Sequence, residues 1–397
     1  VETREFQIEN TDMSDQTFGK GPLKRAVFAL CLLLLVAGSW TTEATSGQEP
    51  VARWWPRRVP PGISFVGDQV CAGCHKTRHT SQMQTGMGMA MEAIADSKVL
   101  TAHPLLTFRV GPYIYEIKRS DKQSIYTVTD GTNTISLPIL YAFGQGKAGQ
   151  TYVLRYKDAF YESLVSYYRE VGGLDFTIGA PRNIPKSVEA ALGRRLSENE
   201  ATACFSCHST GGVIGGEIHL DKVTPGVRCE ACHGPGEKHV AAGKLGQPNK
   251  KLIFNPGRLS GDQIAQDFCA ACHRGNDEFS LLKSMEINNV RFQPYRIFHS
   301  KCYSDDRRIT CTACHNPHEE IKEDAAYYDS KCVACHNSNE GKGENAAAQA
   351  QNQAAVCKVG TKECASCHMP KTGPPAAHFK FTDHYIRIVR PEEGYPN

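Results

Sequence analysis

The chain has 397 residues, 40% of them hydrophobic and 22% charged, a balance that excludes both a disordered chain and a bundle of membrane helices. The formal charge is only +3, so there is no field that would gather nucleic acid. Seventeen cysteines are too many to be the free thiols of a cytosolic enzyme, and the chain is too long for a small disulfide-stapled domain.

In chain order, residues 20–25 are basic, 26–38 are apolar and 41–46 are small and polar. That is the order of a secretory signal peptide. Thirteen apolar residues fall short of the roughly 20 that a bilayer span needs. An uncleaved membrane anchor is the alternative. Met13 reads as the initiator, so residues 1–46 form an upstream extension and signal peptide that includes Cys31. The remainder is expected in the periplasm or at the extracytoplasmic face of the membrane. Loss of residues 1–45 removes four basic and six acidic side chains and leaves a formal charge of +5.

Residues 47–103 read as an exposed Pro-, Arg- and Trp-rich leader followed by a first cysteine motif. Residues 104–175 read as a β-rich insertion. Apolar and polar residues alternate over 106–117, 124–129, 134–140 and 151–156, and Asp130-Gly131 is a turn signal. A small antiparallel meander is expected, packed against the first site. Residues 186–202 look helical and lead into a dense block of motifs within 176–397. Residues 337–355, rich in Gly, Ala, Gln and Asn, read as a low-complexity loop.

The motif is Cys-x-x-Cys-His, present seven times: Cys71/Cys74/His75, Cys204/Cys207/His208, Cys229/Cys232/His233, Cys269/Cys272/His273, Cys311/Cys314/His315, Cys332/Cys335/His336 and Cys364/Cys367/His368. Chance would supply roughly 0.03 copies at this composition. Two thiols at this spacing add across the two vinyl groups of one haem, and the following His becomes an axial ligand of the iron. Zinc ribbons give no reason for a His after every pair. A thioredoxin-like dithiol needs one copy. The sequence therefore predicts seven covalently bound c-type haems. Fourteen cysteines are used in this way and Cys31 lies in the signal segment. Cys302 and Cys357 remain, either as a disulfide or as two buried thiols.

From residue 204 onward apolar periodicity is poor. Six haems within about 165 residues would supply the core there. The fold expected is therefore mainly α with little regular secondary structure, wrapped around stacked haems, with only the small β insertion after the first site. The haems would be too crowded to be insulated from one another.

Eight histidines lie outside the motifs: His79, His103, His219, His239, His299, His318, His378 and His384. They suffice as second axial ligands for seven irons. His79, His239 and His318 follow their motif His by four, six and three residues, so each could ligate only an adjacent haem. His79 is equally well read as a solvated helix residue. Met87 is a thioether candidate that would raise a haem's potential; ordinary packing is the competing reading.

Four stretches carry a family resemblance: Cys-Phe-Ser-Cys-His-Ser-Thr-Gly (204–211), Cys-Glu-Ala-Cys-His-Gly-Pro-Gly-Glu-Lys-His (229–239), Cys-Thr-Ala-Cys-His-Asn-Pro-His (311–318) and Cys-Ala-Ser-Cys-His-Met-Pro-Lys (364–371). They resemble multihaem c-type cytochromes of the cytochrome c-554-like family. The nearer likeness is to bacterial multihaem proteins often fused to tetratricopeptide repeats, which share Thr-Gly-Met-Gly (85–88) and an ending like 382–391. The resemblance spans roughly 65–391. It implies His239, His318, His378 and His384 as distal ligands and strengthens Met87. The 397 residues contain no such repeats, and the Cys-x-x-Cys-Lys motif of pentahaem nitrite reductases does not occur in them, which counts against the same nitrite chemistry.

The expected function is electron transfer between a membrane-associated quinol-linked donor and a terminal reductase or other cytochrome. The expected partners are redox proteins and not nucleic acid, and an oligomer or larger haem-protein assembly is compatible. The alternative is a multihaem oxidoreductase acting on a small nitrogen or sulfur species at one open haem. Its catalytic residues are not legible; the first haem, beside Tyr113, Tyr115, Tyr141 and Tyr152, is the place to look.

Overall fold

The computed structural model describes residues 53–278, 287–303, 309–336, 357, 360, 362–390 and 392–396. The chain divides into two units, Val1–Pro50 and Val51–Asn397, and every described residue belongs to the second. The signal segment (1–46) and the low-complexity loop (337–355) lie outside the described residues.

The dominant element is an antiparallel sheet of eight strands. It contains β1 (Met91–Ala93), β2 (Leu105–Val110), β3 (Tyr113–Ser120), β4 (Gln123–Thr129), β5 (Thr134–Phe143), β6 (Thr151–Tyr156) and β7 (Ala159–Ser163). Two further strands, β8 (Val165–Tyr168) and β9 (Gly173–Phe176), pair separately, and β10 (Gly193–Arg195) joins the main sheet beside β7. The expectation of a mainly α chain with little regular structure and a small β insertion is therefore overturned. The strands fall where alternation is visible, but the sheet also recruits two three-residue segments, β1 and β10, too short to show a period. Most helices are short because each motif needs only a turn or two.

Alternation builds the sheet's core. Tyr113, Tyr115 and Ile117 on β3, and Tyr126 and Val128 on β4, point to one buried face with Leu106, Leu154 and Leu192. Leu192 comes from the helix Val188–Leu192, which lies against β4 and β5. The turn between β4 and β5 is closed by Asp130, whose Oδ1 accepts from the N–H groups of Thr132 (2.9 Å) and Asn133 (2.7 Å), with Gly131 at φ 92°.

Pro138 sits inside β5, a position that normally excludes proline. Here it marks a switch. Residues 134–138 pair with β4, whereas 139–143 pair with β6 and 141–143 with β1, and the register shifts between Ile139 and Tyr141. The helix expected over 186–202 is two helices, Val188–Leu192 and Glu198–His208, split by β10. Gly193 makes the break at φ 133°, where a side chain would strike the Glu162 carbonyl.

Past residue 204 the described apolar clusters are small: Phe205 with Met91 and Val213, Ala265 with Ile297 and Tyr303, and Phe292 with Tyr295. No helix among the described residues is long and apolar enough to cross a membrane.

Candidate haem-binding sites

All seven motifs lie among the described residues, and each is helical. The first interrupts the helix Asp68–Gln82, with His75 off helical geometry (φ −113°, ψ 42°). The second, third, sixth and seventh end their helices at the motif His: Glu198–His208, Cys229–His233, Ala325–His336 and Cys364–His368. The fourth closes Ala270–His273 and the fifth is Cys311–Cys314. A helical turn places cysteines three apart on one face. Ser197 caps the second motif's helix in a reciprocal box with Glu200.

The motif thiols are not equally enclosed. Cys74, Cys335 and Cys367, the second cysteines of the first, sixth and seventh motifs, are exposed. The other eleven are half-buried. The helices that carry them are themselves little buried. Asp68–Gln82 buries only Gln82, and neither Ala325–His336 nor Cys364–His368 buries any residue, so these helices are not packed under apolar side chains. Around Cys367 the neighbour is polar, the Ser366 hydroxyl at 3.8 Å from its Sγ. Spacing alone brings each of the three within one turn of Cys71, Cys332 and Cys364, and a local thioether pattern says nothing about solvent access.

Five histidines have a defined tautomer. The Nδ1 of His208 donates to the Ala90 carbonyl (3.0 Å), that of His233 to Phe254 (3.0 Å) and that of His368 to Arg387 (2.8 Å). The Nδ1 of His239 donates to Asn249 (3.1 Å) and that of His384 to Thr382 (3.0 Å). A carbonyl can only accept, so Nδ1 carries the proton and Nε2 keeps a lone pair for a metal. Desolvation lowers the pKa of His208, His315, His318 and His384. For His384 it falls to about 4, with His315 the next cause. Burial thus disfavours the charged imidazolium at each of these rings.

Three ring pairs join different motifs. His75 and His239 have centroids 6.3 Å apart and planes 15° apart. His233 and His318 are 6.0 Å and 12° apart, and His315 and His384 are 6.2 Å and 43° apart. Ring faces in van der Waals contact would be much closer. With a metal–imidazole bond of about 2 Å and about 1 Å more to each ring centre, two rings on one metal lie about 6 Å apart. The donor set therefore fits haem: two thiols on one helical face, a His with a free Nε2, and a second His at metal-bridging distance.

The other candidates are placed differently. His378 spends its Nε2 on Asp175 (2.7 Å), and its ring lies 4.7 Å from Tyr168. The Nε2 of His79 meets Asp68 (3.0 Å), and that of His103 meets the Tyr167 hydroxyl (2.8 Å). His219 is half-buried, and His299 is exposed among the rings of Tyr295, Phe298 and Tyr385. Met87 is half-buried; its carbonyl accepts from Ala90 and Val227 (3.1 and 2.9 Å). A side chain on Gly88 would strike the Gln82 carbonyl, which explains the glycine in this turn. Cys302 is half-buried near Cys332 and Cys335, and Cys357 is exposed.

Several residues that the sequence did not single out tie motifs together. Glu230, between the cysteines of the third motif, is buried and accepts from the N–H groups of Val66 (3.0 Å), Gly67 (2.8 Å) and Gly236 (2.8 Å). This ties the approach to the first motif to the third. Arg57 donates to the Ser206 hydroxyl (3.1 Å) and the Ala271 carbonyl, joining the second and fourth. Asp329, on the sixth motif's helix, accepts from the N–H groups of Glu363 (2.7 Å) and Cys364 (2.8 Å). No local pattern announces such contacts; a carboxylate between two motif cysteines was the one available hint.

The family model described as "Cytochrome c554 and c-prime" matches residues 182–234, which hold the second and third motifs. The chain is similar to the multiheme cytochrome MtrA of Shewanella baltica (strain OS185), 24% identical over 185 residues, covering 35% of this chain and 54% of that protein. The match thus spans about half the length of that relative. The crystal structure of the outer cell wall cytochrome OcwA resembles the chain with a TM-score of 0.44 and 16% identity, over 82% of this chain and 80% of that one.

Proposed function

From the premise that the chain is a multihaem c-type cytochrome, we propose that it holds seven covalent haems and passes electrons along them between redox partner proteins outside the cytoplasm. The partners proposed are a quinol-linked donor and a terminal reductase or another cytochrome. Export belongs to this reading because thioether attachment follows secretion. So does a Cys302–Cys357 disulfide, which suits an oxidising compartment.

The observation that carries the reading is the set of three cross-motif histidine pairs. His239, His318 and His384 follow the third, fifth and seventh motifs, and their rings pair with the His of the first, third and fifth. Each pair thus links a motif to the one two places further on. Bound haem supplies an iron that takes up and releases one electron. The chain's own task is to keep the iron six-coordinate and its neighbours close. The carbonyls on His Nδ1 hold each ring's orientation, and Glu230, Arg57 and Asp329 hold the motifs together. Six-coordinate iron suits electron transfer, whereas an open position suits substrate chemistry.

Two measurements test this. Intact mass should show seven haems. Electron paramagnetic resonance of the oxidised protein should show low-spin iron throughout, and His318→Ala should convert one haem to high-spin while leaving it attached through Cys229 and Cys232. An unchanged low-spin count in His318→Ala would overturn the ligand assignment. A stoichiometric high-spin signal in the parent that shifts with nitrite, hydroxylamine or sulfite would favour an enzyme instead.

A further inference from the structure

Arg296 and Asp383 form a fully buried ion pair, exposed by only 1% and 0%. The contact is bidentate: Nε donates to Oδ1 at 2.8 Å and Nη2 to Oδ2 at 2.9 Å. The remaining Arg296 nitrogen, Nη1, donates to the Pro396 carbonyl (2.7 Å). Tyr385 and Tyr395 lie 5.3 and 4.6 Å from the guanidinium. Asp383 also accepts from Arg387 Nη1 (2.8 Å) and the Tyr385 N–H (3.0 Å).

A buried pair of this kind is a poor way to gain stability. Desolvating two charges offsets most of their attraction, and apolar replacements of similar volume are often neutral or stabilising. What a bidentate fork does well is fix position and angle. The segment it fixes bears on two motifs. His384 follows Asp383 directly, and its ring pairs with His315 of the fifth motif. The Arg387 carbonyl accepts from Nδ1 of His368 in the seventh motif, and the Arg387 N–H donates to the His368 carbonyl (3.2 Å). Ser300, just past the helix Gln293–Phe298 that carries Arg296, donates to the His384 carbonyl (3.0 Å) and accepts from Ile386 N–H (2.8 Å).

We propose that the Arg296–Asp383 pair is a positioning device for two haem sites. It holds residues 383–387 so that His384 stays opposite His315 while the Arg387 carbonyl stays on His368. The inference rests on the reading of His384 as a distal ligand.

The test uses the haem-loaded full chain. Arg296→Met with Asp383→Leu removes both charges of the pair together; Arg387, which also donates to Asp383, keeps the Tyr385 carbonyl (3.1 Å) and Glu393 (3.7 Å), and the haem count checks that the chain still folds. Arg296→Lys keeps the charge but not the fork. The readouts are haem count by mass, low-spin signals by paramagnetic resonance, and midpoint potentials by optical redox titration. The double variant is expected to keep all haems, lose one low-spin signal, raise the potential of the fifth-motif haem and shift that of the seventh-motif haem, with the other five as in the parent. Arg296→Lys is expected to restore that signal only in part. His384→Ala is the control and should lose the same signal. If it loses none, the distal-ligand reading fails. If His384→Ala loses a signal while the double variant and Arg296→Lys match the parent in signals and potentials, the positioning role is refuted.

Discussion

Phe205 lies between the two cysteines of the second motif and is completely buried. Its ring meets Tyr141 and Phe143 of β5 edge-on at 5.7 Å each and Phe160 of β7 at 5.6 Å. Phe143 meets the His208 ring at 5.2 Å. One aromatic side chain thus couples the sheet to a haem-attachment helix. Truncation to Ala removes the transfer energy of the ring and leaves a cavity between two elements that cannot both collapse into it, so a loss of about 3–5 kcal/mol is expected. The three ring contacts account for about 0.5–1.5 kcal/mol each beyond buried area. Phe205→Leu refills most of the volume and should cost about 1–2 kcal/mol. Urea unfolding followed by far-ultraviolet circular dichroism measures both. With an m-value of about 3 kcal/mol/M, the Ala variant should lower the midpoint by about 1 M or more. Cys204, Cys207 and His208 are intact in both variants, so the haem count should not change. A loss below about 1 kcal/mol for Phe205→Ala would refute the claim that this ring couples sheet and motif.

Three further perturbations probe the surrounding elements. Ser197 N–H and hydroxyl hydrogen bonds, with Arg194 adding to them, hold the Glu200 carboxyl below its ordinary value of 4.5. A depressed folded value means that this contribution is complete above the ordinary value and is lost as pH falls through the lower folded one. The stability gap between parent and Glu200→Gln in thermal melts should therefore be constant near neutrality and close as pH falls below the ordinary carboxyl value. Parallel pH profiles would exclude the carboxylate's role. Ser197→Ala should cost about 1 kcal/mol at neutral pH. Chain made without haem attachment should keep slow amide exchange in β2–β7, which has its own apolar core, and exchange rapidly over 229–278, 287–303 and 309–336, where the described clusters are small. Equal protection in both regions would show that the motif block has a side-chain core after all.

What could be read in the sequence follows from how local each cause is. Thioether attachment needs two cysteines and a His within five residues, so Cys71 to His368 are legible as they stand. The turn at Asp130-Gly131 and the alternation through β3 and β4 are as local as the motifs. The extent of the sheet was not, because β1 and β10 owe their strand form to partners on β5 and β7 rather than to any period of their own.

The second ligands divide along the same line. Counting showed that His239, His318 and His384 were available, and the closeness of His239 and His318 to a motif His argued for crosswise use. Only the tertiary structure brings the three rings within 6.0–6.3 Å of His75, His233 and His315 respectively, and turns the Nε2 of His378 to Asp175, 203 residues away in sequence. The same holds for the Arg296–Asp383 pair, 87 residues apart. The sequence by itself determined the attachment chemistry, because those bonds form within one helical turn. Which imidazoles meet, and what holds them, was decided by packing between distant segments, since a lone His carries no mark of the partner that folding will place beside it.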